Sequence, residues 1–330
     1  MEFIAATPNG EEKGLLPAGA EIDVDIGESN DFEVRIRTEE WNEERYGYGC
    51  RLFVPGTEYG GMINDIESVT ASDEVVLRGD TWRGMLNYKV VEPPANASHL
   101  ILSGELNQIL KELIEDRFGG LFVVSGENSG VQVSQWEVNR YVTLLDAIMS
   151  LLSAYKSRLQ IRYIEPENLD YGYILTKAVP ITDYSDEEEY SKEGNARVTV
   201  RDRRSGINHL VCAGEGQNEE RAVIHLYVQK DGSIGQVQYY KELEERAAVY
   251  NFSSADEERL IEDGTKRLQD LQNQKSCEIE IEDNLELELG DIISGYDPVT
   301  DTQVKRPIIR KILKQQNEKV TIEYKIEGDD

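Results

Sequence analysis

Three histidines, three cysteines and 64 carboxylates are the residues of this chain most able to do acid–base, nucleophilic or metal chemistry. His209 and Cys212 stand three apart in "NHLVCAGEG", a run that alternates as a strand does, so the two side chains fall on opposite faces and do not form a cysteine–histidine couple. His209 and His225 come closer to a site, because a hairpin turning near Gln217 sets them side by side. Two imidazoles fall short of the three or four ligands that zinc takes, so the pair reads as surface or subunit-contact histidines on a sheet. Cys50, Cys212 and Cys277 are far apart, with no Cys-x-x-Cys spacing, and read as free thiols. Asp297 and Asp301 in "GYDPVTDTQ" lack the dense oxygen spacing of a calcium loop and read as a hairpin connection. Gly214 and Gly216 in "CAGEGQNE" are followed by no Walker lysine and no third glycine of a dinucleotide motif, which leaves a turn. The carboxylates are too many to single out an acid–base pair. The residues therefore predict neither a catalytic set nor a metal or cofactor site.

Composition narrows the partners. The 330 residues suffice for two or three cores of ordinary size, and 39% hydrophobic with 30% charged residues suits a soluble folded protein. Seventeen tyrosines against 6 phenylalanines point to many half-buried, sheet-like surfaces. Thirty-five basic against 64 acidic residues give a formal charge of -29, which repels phosphate backbones and argues against nucleic-acid binding. The stretch "TLLDAIMSLLSAY" is interrupted by Asp146 and falls short of the roughly 20 apolar residues of a bilayer span. "MEFIAATPNGEEKG" carries no signal-peptide pattern, so synthesis in a cytoplasm without a membrane anchor is expected.

The elements that would position any site follow from periodicity. "EIDVDIG" and "FEVRIR" alternate with one dry face (Ile22, Val24, Ile26; Phe32, Val34, Ile36), and "GMINDIESVT" and "EVVLRG" continue as strands joined by a short turn, together a small antiparallel sheet or barrel. From about Asn96 the period changes. "SGELNQILKELIEDRFGG" predicts a helix capped by Ser103 and ended by Gly119 and Gly120, with Leu106, Ile109, Leu110, Leu113 and Ile114 inward. "LFVVS", a second helix carrying Leu144 to Tyr155, and "LQIRYIEP" complete an α+β unit. Sheet patterns return from Ala196, interrupted by two helices, the second with a Ser254–Glu257 capping-box spacing and a Leu260, Ile261, Leu268, Leu271 stripe. "CEIEIED", "LELELGDII", "PIIRKILKQ" and "VTIEYKIEG" predict four closing strands. "TDYSDEEEYSKEGN" reads as a solvated acidic loop. In "GDTWRGML", residues 79 to 86, a strand ends at Gly79, Asp80 or Thr81 caps a turn, and Trp82, Met85 and Leu86 share one face with Trp82 as packing anchor. Arg83 lies off that face toward acidic neighbours, and Gly84 allows a close backbone approach.

"PGTEYGGMI" (55 to 63) with "VVLRGDTWRGMLNYKVVEPP" (75 to 94), then "NHLVCAGEG", "RAVIHLYVQKDGSIG" and "LELGDIISGYDPVTDTQVKRPIIRKILK", resemble in this order the siphovirus and prophage tail-hub proteins, the Gp37-like tail proteins distantly similar to myovirus baseplate hubs. The resemblance spans nearly the whole chain. It implies an α+β, mainly β fold of two small antiparallel β-barrel domains with α+β insertions: a first hub barrel at 1–95, an insertion at 96–190, and a second barrel at 191–330 with a helical insertion at about 239–275. It further implies a homotrimer in the virion tail that joins a sixfold tail tube or distal tail protein to a threefold tip. The tape-measure protein and a tail-tip fibre or lytic protein would be neighbours, and DNA would pass through a channel; the acidity then either gives that channel a wall that does not hold DNA or serves solubility alone. Trp82, Arg83, Met85, Tyr59, His209, His225 and Asp291 are then structural or interface residues. Relatives that continue into a peptidase or lysozyme-like region differ from this chain, whose last predicted strand ends near Asp330, so no enzymatic role is expected. Two other readings exist: a cell-wall hydrolase with paired carboxylates in the α+β region, and a carbohydrate-binding protein using the tyrosines of "YGYG" (46 to 49) and "DYGY" (170 to 173).

Overall fold

The computed structural model describes residues 1–165, 171–185, 189–190, 196–203, 205–216, 218–272, 274–281, 287–297, 299, 302–316 and 319–329. The chain forms two compact units. The first comprises Met1–Arg197, Glu278–Ser294 and Pro307–Ile326; the second comprises Val198–Cys277, Gly295–Arg306 and Glu327–Asp330. The fold is mainly β with few helices.

The first unit opens with β1 (Ile4–Ala6), β2 (Glu12–Leu15), β3 (Glu21–Ile26), β4 (Asp31–Arg37), the short helix α1 (Glu43–Tyr46), β5 (Arg51–Phe53), β6 (Gly60–Val69) and β7 (Glu74–Thr81). As the alternation predicted, Ile22, Val24, Phe32, Val34 and Ile36 are buried while Glu21, Asp23 and Asp31 are exposed. Strand β7 runs past Gly79 to Thr81, because β4 pairs with it out to Asp31↔Asp80. Thr81 then caps α2 (Trp82–Met85), its hydroxyl accepting from the Gly84 amide at 3.2 Å.

The polypeptide continues through β8 (Val90–Val91), β9 (Leu100–Glu105), α3 (Leu106–Ile114), β10 (Phe122–Val124), β11 (Gln132–Val138), β12 (Val142–Thr143), α4 (Leu144–Ala154), β13 (Ser157–Ile164) and β14 (Tyr173–Pro180). Strand β14 lies between β10, to which it is parallel, and β13, to which it is antiparallel, while β9 pairs with β11. Buried Leu106, Ile109, Leu110 and Leu113 of α3 and Leu144, Ile148, Leu151 and Leu152 of α4 share one core with Trp82, Met85 and Leu86. Trp82 is the anchor expected of it, fully buried and stacked on Tyr163, whose other neighbour is Phe53 at 3.8 Å between ring centroids. The start of α3 differs from expectation. Ser103 belongs to β9, where its hydroxyl accepts from the Gln135 amide, and Glu105 caps the helix by accepting from the Gln108 amide. The helix stops before Gly119 because Asp116 already adopts φ +66°.

The acidic segment is represented only by β15 (Glu189–Tyr190) and by residues up to Ser185; the rest of it lies outside the described residues. The chain enters the second unit along β16 (Ala196–Arg203). There β17 (His209–Ala213), β18 (Val223–Val228), β19 (Ile234–Gly235) and β20 (Ala247–Asn251) form a sheet in the order β19-β18-β17-β20, with β20 parallel to β17. Helix α5 (Glu257–Leu271) packs on one face through Leu260 and Leu268 against Leu210, Cys212 and Leu226. Its cap is Asp256 rather than the Ser254 of the predicted box, and Ile261 of the predicted stripe is exposed; Gly264 supplies the inner surface, with Cys212 Sγ only 2.6 Å from where a Cβ would stand. The first of the two predicted helices is a single 3-10 turn, Glu242–Glu244, followed by β20.

Strand β21 (Gln274–Ile281) leads back, followed by β22 (Ile292–Asp297), β23 (Thr302–Gln316) and β24 (Lys319–Asp329). Of "LELELGDII", Leu285 and Glu286 lie outside the described residues, Leu287 to Gly290 form a turn, and Ile292 and Ile293 begin β22. Strand β23 pairs with both β24 and β3, giving the path β24-β23-β3-β4-β7-β6-β5-β1-β2. Beyond β24 the order continues through β21 to β16, and among the described residues no ladder joins the end strands β2 and β16, so the pairing is open where the resemblance implied a barrel. Alternation records which face of a strand is dry, not whether the two ends of a sheet meet.

Gly84 in α2 stands against the Asn30 carbonyl, 2.3 Å from where a Cβ would be. Gly84→Ala is expected to cost about 1–3 kcal/mol of stability by overpacking, read as a lowered urea midpoint with an unchanged slope. An unchanged midpoint would show that this turn gives way freely.

Candidate functional site

The most concentrated buried chemistry in the first unit begins in "PGTEYGG". The turn from Val54 to Tyr59 closes by the Val54 amide donating to the Tyr59 carbonyl. It is tied to β13 by two further bonds, Gly56 amide to Tyr163 carbonyl at 2.8 Å and Tyr163 amide to Thr57 carbonyl at 2.9 Å. Glu58 is thereby held inside the protein, 1% exposed, facing Arg83 of α2, which is 2% exposed.

Arg83 reaches Glu58 with two nitrogens, Nε at 2.7 Å and Nη2 at 3.2 Å, and Nη2 also donates to the Leu159 carbonyl of β13 at 3.0 Å. This is the forked geometry for which guanidinium is suited and ammonium is not. The second oxygen of Glu58 lies 3.8 Å from Lys311 Nζ, which donates to Glu288 at 2.8 Å and sits 5.0 Å above the Tyr59 ring. Arg162 of β13 bonds the other oxygen of Glu288. The result is a ladder of alternating charge, Arg83–Glu58–Lys311–Glu288–Arg162. It borders a cavity of about 300 Å³ lined by Met1, Tyr59, Leu287, Ile322 and Tyr324 besides the charged groups. Burial first, and then the Glu288 and Glu58 charges, hold the Tyr59 hydroxyl protonated far above its ordinary range; burial does the same for Tyr324.

A second bridge stands beside Glu288, at the Leu287–Gly290 turn. Fully buried Asp291 accepts from Arg158 Nε at 2.8 Å and from the Thr182 amide at 2.9 Å, through the same oxygen. The turn itself is held to β23 by Gly290 amide to Ile308 carbonyl and Ile308 amide to Asp291 carbonyl.

Of the residues singled out from sequence, Tyr59 and Arg83 meet in this cluster, Trp82 and Met85 lie in the core beside it, and Asp291 sits three residues from its Glu288. His209 and His225 are elsewhere, in the second unit, with His209 Nε2 2.8 Å from His225 Nδ1. Cys212 lies on the α5 side of that sheet, its thiol pushed up to about 11 by burial. Cys50 is likewise a buried free thiol, and the side chain of Cys277 lies outside the described residues, as do Gln217 and Asp301. Tyr46 of "YGYG" is fully buried while Tyr48 and Tyr171 are exposed.

Glu58, Glu288, Lys311, Arg162 and Arg158 went unnoticed in the sequence. The acids do not stand out among 64 carboxylates, but Lys311 had a legible sign: it shares strand parity with buried Leu313. In chemical terms every carboxylate of the ladder is already engaged by a cation, so the arrangement fixes segments in place and offers no spare base beside a nucleophile. Among the described residues no group of three or more His, Cys, Asp or Glu is placed to hold a metal ion. No described helix is long and apolar enough to cross a membrane.

The whole architecture has solved counterparts. The 43 kDa tail protein of prophage MuSo2 from Shewanella oneidensis superposes with a TM-score of 0.55 at 11% identity, covering 99% of this chain and 98% of that one. A chain of the phage P2 baseplate in its activated conformation with Ca gives 0.53 at 10% identity over 100% and 99%. This is a phage tail-protein fold. A topological model of the p2 virion baseplate gives 0.52 at 11% identity, again over nearly both whole chains. The sequence matches no family model and no curated protein. The tail-protein resemblance read from the motifs and the likeness of the whole fold thus agree.

Glu58→Leu leaves Arg83 and Lys311 buried without a shared partner and is expected to cost about 3–5 kcal/mol, whereas Glu58→Leu with Arg83→Met should cost less than the single change. Denaturant titration of both variants measures this. Acid provides a second check. Burial opposes ionisation of Glu288, yet Lys311 and Arg162 overcome it and lower its pKa from 4.5 to about 2. Its contribution is therefore complete above pH 4.5 and is lost as pH falls through about 2. Glu288→Gln should flatten the loss of stability across that window, followed by tryptophan fluorescence.

Proposed function

We propose that this chain is a structural protein of a bacteriophage or prophage tail: a baseplate or tail-tip hub with no catalytic duty, working in the virion after synthesis in the host cytoplasm. The observation that carries this reading is the superposition of nearly the entire chain on nearly the entire tail and baseplate chains. The ladder is in keeping with it, since it holds parts of one unit in register rather than presenting reactive groups.

In the finer form of the proposal the chain assembles as a homotrimer. Its two β-rich parts, residues 1–95 and 191–330, form six similar cylinders around one axis beneath the sixfold tube or distal tail protein. The 96–190 insertions face the threefold tip, near the tape-measure protein and a tail-tip fibre or lytic protein. Supporting this are the motif order read from the sequence and the formal charge of -29, which suits a wall past which DNA slides without adhering. Tyr59, Trp82, Arg83, Met85 and Asp291 act in this scheme as internal supports. Their burial favours that over direct contact with a partner.

Light-scattering mass measurement over a concentration series, with and without the neighbouring tube or distal tail protein, is expected to give three copies per particle. A strict monomer under both conditions overturns the hub proposal. Peptidoglycan zymography is expected to show no clearing, and a clear band would replace the structural reading with a lytic one.

A further inference from the structure

The second unit places both of its histidines on the sheet face away from α5. The β17–β18 register pairs His209 with Tyr227 and Val211 with His225, so the two imidazoles are diagonal neighbours across the ladder. Glu245, in the turn that leads into β20, reaches His209 Nδ1 at 2.6 Å, and His209 Nε2 faces His225 Nδ1 at 2.8 Å. The Tyr227 ring stacks on His209 with centroids 4.4 Å apart, which limits how the ring can turn.

An ionised carboxylate only accepts hydrogen bonds, so the Glu245 contact puts the His209 proton on Nδ1 and leaves Nε2 as a lone pair. In the free protein that lone pair receives the Nδ1 hydrogen of His225. This arrangement matches what a metal-binding histidine needs, with one nitrogen oriented by a carboxylate and the other presenting its lone pair.

We propose that His209 Nε2 and His225 Nδ1 form a two-imidazole site for a divalent transition ion of the nickel or copper class, with Glu245 positioning His209. Two nitrogens bound at about 2.0–2.1 Å and at right angles stand about 3 Å apart, close to the spacing already present. The ring centroids are 5.1 Å apart, so the present N–H···N contact is nearly straight. The ion takes the place of the shared hydrogen as the exposed His225 ring turns. His225 moves its ring proton to Nε2 through solvent, and with both rings neutral no net proton is released. Water fills the remaining positions, so affinity falls below that of a closed structural site and follows the order in which copper exceeds nickel. Nothing here depends on the hub proposal, and the ion is identified by ligand chemistry alone.

The test is titration of the full chain with Ni²⁺ by calorimetry, in excess Mg²⁺ to occupy surface carboxylates. One ion per chain is expected. His225→Ala and His209→Ala should each weaken binding at least tenfold, Glu245→Gln should weaken it about 10-fold or more through loss of orientation, and His99→Ala, in the first unit, should leave it unchanged. The Cu²⁺-loaded wild-type chain should show hyperfine coupling from two imidazole nitrogens in its paramagnetic resonance spectrum, a readout that needs no variant. Absence of saturable binding, a spectrum with oxygen ligands only, or affinity that survives His225→Ala in a protein of unchanged circular dichroism would each overturn the site.

Discussion

One carboxylate shared between two buried cations ties together three distant segments of the first unit. Glu58 belongs to a turn, Arg83 to a helix of one turn and Lys311 to a strand made more than two hundred residues later, and removing Glu58 leaves the Arg83 charge out of water without its carboxylate. A contrast within the same sheet makes the point. Arg78 touches Glu33, Asp65 and Glu67, but its side chain is one-third exposed, so solvent screens those pairs and they contribute little. The Arg83 pair is desolvated, forked and additionally bonded to a backbone carbonyl, so it selects one arrangement of the segments around it. Hydrophobic burial supplies the bulk of the stabilisation there, through Trp82, Phe53 and Tyr163. The charges specify which packing is the correct one.

Much of the local structure was legible in the residues. The dry faces of β3 and β4, the cap at Thr81, the anchoring by Trp82 and the close approach at Gly84 all follow from side-chain type and spacing, because each depends on neighbours within a few positions. The adjacency of His209 and His225 was legible for the same reason, being set by one hairpin. What escaped depends on distance along the chain. Lys311 enters the ladder because β23 lies beside β3, and Glu288 because a turn that looked like strand is pinned to Ile308. Glu245 reaches His209 only because β20 runs parallel to β17, a connection that no periodicity announces. Helix starts were misplaced by two residues, at Ser103 because its partner Gln135 was out of sight and at Ser254, while α3 stops at Ile114, well short of the predicted Gly119.

Likeness to tail proteins at 10–11% identity, over essentially whole chains, says something about what such a fold asks of a sequence. It asks for dry faces at the right period, glycine where backbones touch and polar groups that find partners, and many residue combinations meet those demands. The architecture can therefore be shared while individual ion pairs are not.

The edge of β3 has a temporal meaning. Its partner on one side, β4, follows within a few residues, but Asp25 waits for Arg310, 285 positions onward. As the nascent chain emerges, the second unit can gather its own core around α5 before that edge is covered, since domains tend to fold as units during synthesis. Until residues 307–326 leave the ribosome, the first unit carries an uncapped strand and an incomplete charge cluster, so that unit is finished only after translation has passed through Val198–Cys277 and Gly295–Arg306 of the second.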